Sequence, residues 1–357
     1  MTSLLSMPSG ADKGAIKLEM LHKAALSDNE HSKFSKKLMR GAVSEQKESQ
    51  KEPRGFLEFE KKKTNFEMFR YSDMLDAAKA IAEMFASKYG RPDAILYIER
   101  GGMVPAALVA NELGVGRLFH VSAGYYTDVG IPSKNVKIWN IDSKIQGATG
   151  GRILLIDDIA DTGKTLKDVY GRVKKLTSSE ILTATFVYKS KSIIKPDFYY
   201  VEKDNSTWIV FDYEENETRH SFSKSKNKAG LDFLEEEFGK GASTDSNAKF
   251  QLLKNQIKDT LLQIINEGDI PAAIAYVKPY GNVIARIASD YLNVKAMLAI
   301  DADGDFNENH AKRMCKKNGR ILLVDDCSEA SGHGLKEALA ELSSAGLSVR
   351  VYKFQGK

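Results

Sequence analysis

Arg152–Leu166 reads RILLIDDIADTGKTL. The apolar residues Ile153 to Ile156 have the length and branching of a strand buried on both faces. That strand ends on Asp157 and Asp158, and the turn Asp161-Thr162-Gly163-Lys164-Thr165 then leads into a helix expected to reach about Leu176. In open α/β sheets ligands bind beyond the carboxyl ends of the strands, which is where these two acids fall. Backbone N–H groups and threonine hydroxyls at a helix N-terminus suit a phosphate monoester. Adjacent carboxylates beside them suit ribose hydroxyls or a hydrated Mg²⁺. The GKT triplet also occurs in the phosphate loop of nucleotide hydrolases, but that loop needs a glycine where Asp158 stands, so the hydrolase reading fails.

Strands and helices alternate outward from this segment. A helix starts near Ser72-Asp73, carries Met74, Ala77, Ala78, Ile81, Met84 and Phe85 at helical spacing, and stops at Gly90-Arg91-Pro92. AILYIERGG (Ala94–Gly102) is a strand ending in a glycine turn, and the helix-forming VPAALVANELG follows. LFHVSAGYY (Leu118–Tyr126) is a further strand, after which a polar, glycine-containing loop is expected up to Gly151. Downstream, ILTATFVYKS (Ile181–Ser190) is another. Apolar strands separated by helices predict an α/β fold, a mostly parallel sheet with helices on both faces.

The pattern then restarts. Ile95–Val115 aligns without a gap with Ile274–Val294, and GRILLIDD (Gly151–Asp158) aligns with GRILLVDD (Gly319–Asp326). Four segments are therefore expected. Residues 1–65 form a polar, charged extension, flexible or partly helical, with Ile16, Met20, Leu21 and Ala24 near one helical face. Residues 66–215 form the domain that carries the motif, 216–249 a linker with a short helix, and 250–357 an eroded second copy. In that copy Pro279-Tyr280-Gly281 stands in place of Arg100-Gly101-Gly102, and Asp325 and Asp326 are followed by Cys327-Ser328-Glu329 without a DTGKT turn. A support or interface domain is expected there.

Composition narrows the class. The chain has 357 residues, 42% hydrophobic, 9% aromatic and 28% charged, which suits packed domains and excludes a wholly disordered protein. No apolar run reaches the roughly 18–20 residues of a membrane span. The start, MTSLLSMPSG, lacks the basic opening and apolar core of a signal peptide, so a cytoplasmic protein is expected. Cys315 and Cys327 make neither a disulfide framework nor a metal spacing. The net charge of +4 resides in the first 65 residues, where 13 Lys and Arg face 9 Asp and Glu, and it is too small to argue for nucleic-acid binding beyond that extension.

The strand, turn and helix of IDDIADTGKTL resemble the diphosphoribosyl-binding signature of type I phosphoribosyltransferases, and the resemblance extends over about residues 70–215. It implies two tandem domains of that fold, the second degenerate. It also implies that Asp157 and Asp158 hold the ribose hydroxyls of 5-phosphoribosyl 1-diphosphate and, partly through water, Mg²⁺. The loop Asp161-Thr162-Gly163-Lys164-Thr165 would bind the 5′-phosphate, and Ala160 would also contact the diphosphate sugar. Glu99-Arg100-Gly101-Gly102 stands where the family binds pyrophosphate, often across a cis peptide, so Arg100 and Gly101 would face the diphosphate. Gly124–Gly150 would be the hood that closes over the substrate.

Val187–Glu214 is similar to the base-binding part of 6-oxopurine phosphoribosyltransferases of the xanthine, guanine and hypoxanthine types. By that likeness Lys189 bonds the purine O6, Trp208 with Ile209 stacks on the base, and Glu214 reads its 2-position. Asp161 accepts the N7 proton, and Arg100 stabilises the leaving pyrophosphate. The family has proline, aromatic and acid where this chain has Asp212-Tyr213-Glu214, which leaves the choice of base open. The implied activity is transfer of the phosphoribosyl group to a 6-oxopurine, with Mg²⁺ as cofactor and a homo-oligomer as the assembly. Two alternatives stay open: a non-catalytic sensor of the diphosphate sugar or a nucleotide, and a structural protein that has co-opted the fold. Ribose-phosphate diphosphokinases are also tandem copies, but they keep the intact signature in the second, so they do not match.

Overall fold

The computed structural model describes residues 64–126, 132–241, 244–278, 281–301, 303–315, 319–325 and 332–353. The extension up to residue 63, with its expected docking helix, lies outside the described residues. So do Pro279, Tyr280 and the segment from Asp326 to Ser331.

The motif sits in the middle of a six-stranded sheet. β1 (Asn65–Phe69) leads into α1 (Tyr71–Tyr89), whose start is fixed by the Arg70 N–H donating to the Asp73 carboxylate at 2.7 Å. Met74, Ala77, Ala78, Ile81 and Phe85 form its buried stripe, as the spacing predicts, whereas Met84, expected on the same face, is 38% exposed, and Gly90 ends the helix at φ +74°. β2 (Ala94–Glu99), α2 (Met103–Leu113), β3 (Leu118–Tyr126), β4 (Pro132–Ile141), β5 (Arg152–Ala160), α3 (Lys164–Val173), β6 (Glu180–Lys189) and β7 (Phe198–Lys203) follow. The strand order is β4-β3-β2-β5-β6-β7, with every pair parallel except β3 and β4. β2 is buried along its whole length, the expected state of a strand covered on both faces.

Two expectations are corrected. The stretch read as a polar loop after Tyr126 contains β4, antiparallel to β3 with Val121 opposite Ile141, and then a 3₁₀ helix over Ser143–Gly147. Alternation of apolar and polar residues in NVKIWNI (Asn135–Ile141) drives this strand, and the flanking glycines and lysines obscure it. The expected linker is largely helical as well: α4 (Glu215–Lys224), α5 (Lys228–Gly239) and the start of α6 (Asp245–Asn266). Phe222 and Leu234 pack on Val210 of β8 (Thr207–Phe211), which pairs in parallel with β1 as a separate two-stranded sheet. Asn247 of α6 accepts a hydrogen bond from the Ser72 N–H at 2.8 Å, which ties α6 to α1.

The C-terminal half runs β9 (Ala273–Val277), α7 (Gly281–Leu292), β10 (Met297–Ile300), α8 (Glu308–Met314), β11 (Arg320–Asp325), α9 (Gly332–Ser344) and β12 (Ser348–Lys353). Its parallel sheet, in the order β10-β9-β11-β12, repeats the order β3-β2-β5-β6 of the first. A single apolar core joins the two halves, with Tyr97, Met103 and Val109 from the first and Tyr276, Ile284 and Ala288 from the second. The Tyr97 and Tyr276 hydroxyls, 179 positions apart, meet at 2.9 Å, and Asn282 Nδ2 donates to the Met103 carbonyl across the same separation at 3.4 Å. Aligned positions therefore face each other, as in the self-complementary contact of a two-fold dimer. Lys278 crosses this boundary buried, its ammonium 2.7 Å from Asp142, 2.8 Å from Asp301 and 3.0 Å from the Leu118 carbonyl.

Candidate active site

β5 delivers Asp157 and Asp158 to its carboxyl end, with Asp157 only 8% exposed. Asp157 Oδ1 accepts the Asp158 N–H at 3.1 Å, and Asp158 Oδ1 accepts the Ile159 N–H at 2.7 Å. The Tyr213 hydroxyl stands 3.2 Å from both Asp158 Oδ2 and the Gly101 carbonyl, so it joins the acid to the ERGG turn. That turn needs glycine: a Cβ on Gly101 would lie 2.6 Å from the Asp158 carboxylate. The Glu99–Arg100 peptide is cis. Burial, and then the charge of Asp158, push the Asp157 carboxyl well up. Burial also raises Asp158, against the field of Arg286. Two hard oxygen ligands side by side, each destabilised by burial, fit ribose hydroxyl donors or a partly hydrated Mg²⁺. Among the described residues no group of three metal-ligating side chains forms, so such an ion would take its other ligands from water and substrate.

The turn after β5 is fixed by its neighbours. Gly163 adopts φ +71°, and a Cβ there would lie 2.0 Å from Ser192 Oγ, so a larger residue is excluded by space as well as by backbone. The Ile193 N–H donates to the Thr162 carbonyl at 3.0 Å, which holds the turn against the loop after β6. The first N–H groups of α3 have no partner within the helix and lie beside Thr162 and Lys164, both exposed, and the half-buried Thr165. Ala160 is buried beneath them. Unpaired N–H groups at a helix N-terminus suit an anion, so this turn is a candidate anion cradle.

Lys189 ends β6 at 6% exposure, its ammonium 3.0 Å from Asp161 Oδ1, and the more exposed Lys191 reaches the same oxygen at 3.0 Å. Burial works against ionisation of Asp161, but the two lysines outweigh it and hold the carboxyl below its ordinary value. Trp208 on β8 is 39% exposed and meets Phe222 edge-on at 5.2 Å between ring centroids. The Ile209 side chain is in the core, so only its backbone is available to a ligand. Glu214 is turned inward toward Asp158: its Oε1 accepts the Phe211 N–H at 3.2 Å and its Oε2 lies 3.5 Å from Arg286.

The sequence reading missed three residues of this cluster: Tyr213, Glu217 and Arg286. Glu217, in the first turn of α4, grips the Arg100 guanidinium at 2.9 and 2.7 Å. Arg286 of α7 is 2% exposed, lies over the Tyr213 ring at 5.0 Å and approaches Glu217 at 3.3 Å. Burial would raise Glu217, yet Arg100 and Arg286 bring it down to about 2. The available signal for Arg286 was a cation on the apolar face of NVIARIASD, where an unpaired charge is costly.

Glu214 gives a pH prediction. Burial, then the charge of Asp158, raise its carboxyl to about 8 from an ordinary 4.5. Between those values the folded chain keeps a proton that the unfolded chain has released, so Glu214 makes stability fall as pH rises through this window. Glu214→Gln is expected to flatten the decline of melting temperature between about pH 5 and about pH 8. Equal slopes for both proteins would contradict the placement of Glu214.

The family model of the phosphoribosyl transferase domain matches residues 70–218. Among solved structures, the chain is similar to a purine phosphoribosyltransferase from Pyrococcus horikoshii, at 28% identity over 41% of this chain and 92% of that one, TM-score 0.35. It is also similar to a hypothetical protein from Neisseria gonorrhoeae with bound ppGpp, at 20% identity over 42% and 90%, TM-score 0.36. A third is the xanthine-guanine-hypoxanthine phosphoribosyltransferase of Helicobacter pylori, at 19% identity over 45% and 99%, TM-score 0.36. Residues 70–218 of this chain thus carry a phosphoribosyl transferase domain.

Proposed function

We propose that the chain transfers the phosphoribosyl group of 5-phosphoribosyl 1-diphosphate to a 6-oxopurine, yielding a nucleotide and pyrophosphate. The observation that carries this reading is one continuous edge of the fold. Asp157 and Asp158 lie beside the anion cradle of α3, and Lys189 is bound to Asp161 at the end of the adjoining strand. A phosphate, two vicinal hydroxyls and a purine carbonyl find matching groups along that edge.

In this reading the 5′-phosphate occupies the cradle and the ribose hydroxyls donate to Asp157 and Asp158. These two acids would also hold Mg²⁺, partly through water, which supplies positive charge for the pyrophosphate oxygens. Arg100 faces the same oxygens, where negative charge grows as the bond to the anomeric carbon breaks. Lys189 has three donors, so it can keep Asp161 and still donate to O6. Asp161, held ionised, is a weak base but a good acceptor. It takes the hydrogen bond of N7–H and offsets the positive charge that gathers on the purine as N9 bonds to the sugar. Trp208 offers the stacking face, and the second half of the chain, read as a degenerate copy, supports rather than repeats the site.

Trp208→Ala is expected to raise the Michaelis constant for the purine by about tenfold or more, since one base–aromatic stack is worth roughly 1–3 kcal/mol. The constant for the diphosphate sugar should change much less. Equal changes for both substrates would make Trp208 a packing residue against Phe222 and would remove the base from this face.

A further inference from the structure

We propose that α7 of the C-terminal half completes the active site of the first: Arg286 and Asp290 fix Glu217, and Glu217 in turn fixes the Arg100 guanidinium that meets the diphosphate. This rests on the phosphoribosyl-transfer reading above and adds to it a positioning role for the second half.

The contacts form a chain from one half to the other. Asp290 Oδ1 accepts the Glu217 N–H at 2.8 Å, and its Oδ2 accepts the N–H and side-chain amide of Asn216, both at 3.0 Å. A carboxylate from α7 thus caps the N-terminus of α4, where the helix dipole favours negative charge, and sets the turn from which Glu217 projects. Glu217 then holds Arg100 through two parallel hydrogen bonds, the geometry that best defines the plane of a guanidinium. Arg286 touches the outer oxygen of that pair at 3.3 Å, and Ser289 lies 3.5 Å from Arg100 itself. Glu217 is therefore shared among Arg100, Arg286 and, at 3.8 Å, Lys295, and its grip on Arg100 depends on where Arg286 stands. Arg286 is buried with Nε and Nη1 lacking a hydrogen-bond partner among the described residues, so saturated pairing does not account for its burial.

The aligned repeat adds a second observation. Arg286, Ser289 and Asp290 align with Ala107, Ala110 and Asn111. Of these six positions, the two charged ones belong to the second copy alone, and they sit where it meets the Arg100–Glu217 pair. A surface kept only for packing would have no use for a buried cation there.

The test uses the full chain with Arg286→Ala, Arg286→Lys and the isosteric Asp290→Asn. Binding of 5-phosphoribosyl 1-diphosphate with Mg²⁺ is measured by titration calorimetry, and both Michaelis constants are measured by nucleotide formation. Arg286→Ala and Asp290→Asn are expected to weaken sugar binding by about tenfold or more and to leave the purine constant within about twofold. Arg286→Lys should restore part of the loss, since it returns the charge without the planar fork. Should Arg286→Ala fail to fold, Asp290→Asn and Arg286→Lys carry the test. Folded variants that bind the sugar as tightly as the parent would overturn the inference. A parent chain that binds the sugar but makes no nucleotide from any purine would contradict the choice of acceptor and leave the inference to be judged by binding. A parent that does not bind the sugar would overturn both.

Discussion

Asp157→Asn with Asp158→Asn is expected to abolish binding and transfer of the diphosphate sugar while leaving the fold as stable as before, or more so. Each carboxylate that accepts a hydroxyl is worth roughly 1.5–3 kcal/mol as a charged hydrogen bond, so losing both amounts to about 10²- to 10⁴-fold. The stability half of the prediction comes from the folded state itself. Both carboxyls are pushed up, Asp157 by burial and by the charge of Asp158, and Asp158 by burial against the field of Arg286. Neutral amides of the same shape remove that repulsion. The checks are calorimetric titration with the sugar and Mg²⁺ and a thermal melt near neutral pH. A folded double variant with undiminished turnover would contradict the assignment of the two acids.

Lys278→Ala is expected to be the most destabilising single change across the boundary between the halves. The ammonium is buried between Asp142 and Asp301 and also donates to the Leu118 carbonyl. Burial would raise Asp142, but the His120 ring, with Nδ1 3.4 Å away, and the charge of Lys278 outweigh it and hold the carboxyl well below its usual range. Removing one member of a buried pair strands the other, at about 3–5 kcal/mol. A urea titration should show that loss as a lower midpoint with an unchanged slope. A loss under about 1 kcal/mol would mean that water reaches the cluster and that the halves are not joined there as described.

Local pattern carried much of this protein. The run Ile153–Ile156 and the acids after it fixed a buried central strand and its ligand-facing end. The stripe from Met74 to Phe85 fixed α1, because burial on one helical face leaves a regular trace. The turn Asp161–Thr165 and the strand end at Lys189 were legible as local structure, because they are residues close in sequence on one turn and one strand end. What escaped was β4, hidden by polar flanks, and the helices α4 and α5, whose apolar residues Phe222, Leu231 and Leu234 are diluted by acids and lysines. The cluster of Tyr213, Glu217 and Arg286 escaped for a different reason. Arg100 and Glu217 are 117 positions apart, and Glu217 and Arg286 are 69 apart. No spacing rule links them, since they meet only because two sheets share one core. Glu214 was placed at the purine by likeness; in the structure its Oε2 lies 3.5 Å from Arg286 and its Oε1 accepts the Phe211 N–H.

The most direct test of the account offers the full chain 5-phosphoribosyl 1-diphosphate, Mg²⁺ and, one at a time, hypoxanthine, guanine, xanthine and adenine, and separates the products by chromatography. Saturable formation of a nucleotide with equimolar pyrophosphate is expected from at least one of the three 6-oxopurines. Adenine should react far less, because it presents an amino group where Lys189 needs a carbonyl. No nucleotide from any 6-oxopurine, or adenine as the preferred base, would contradict it.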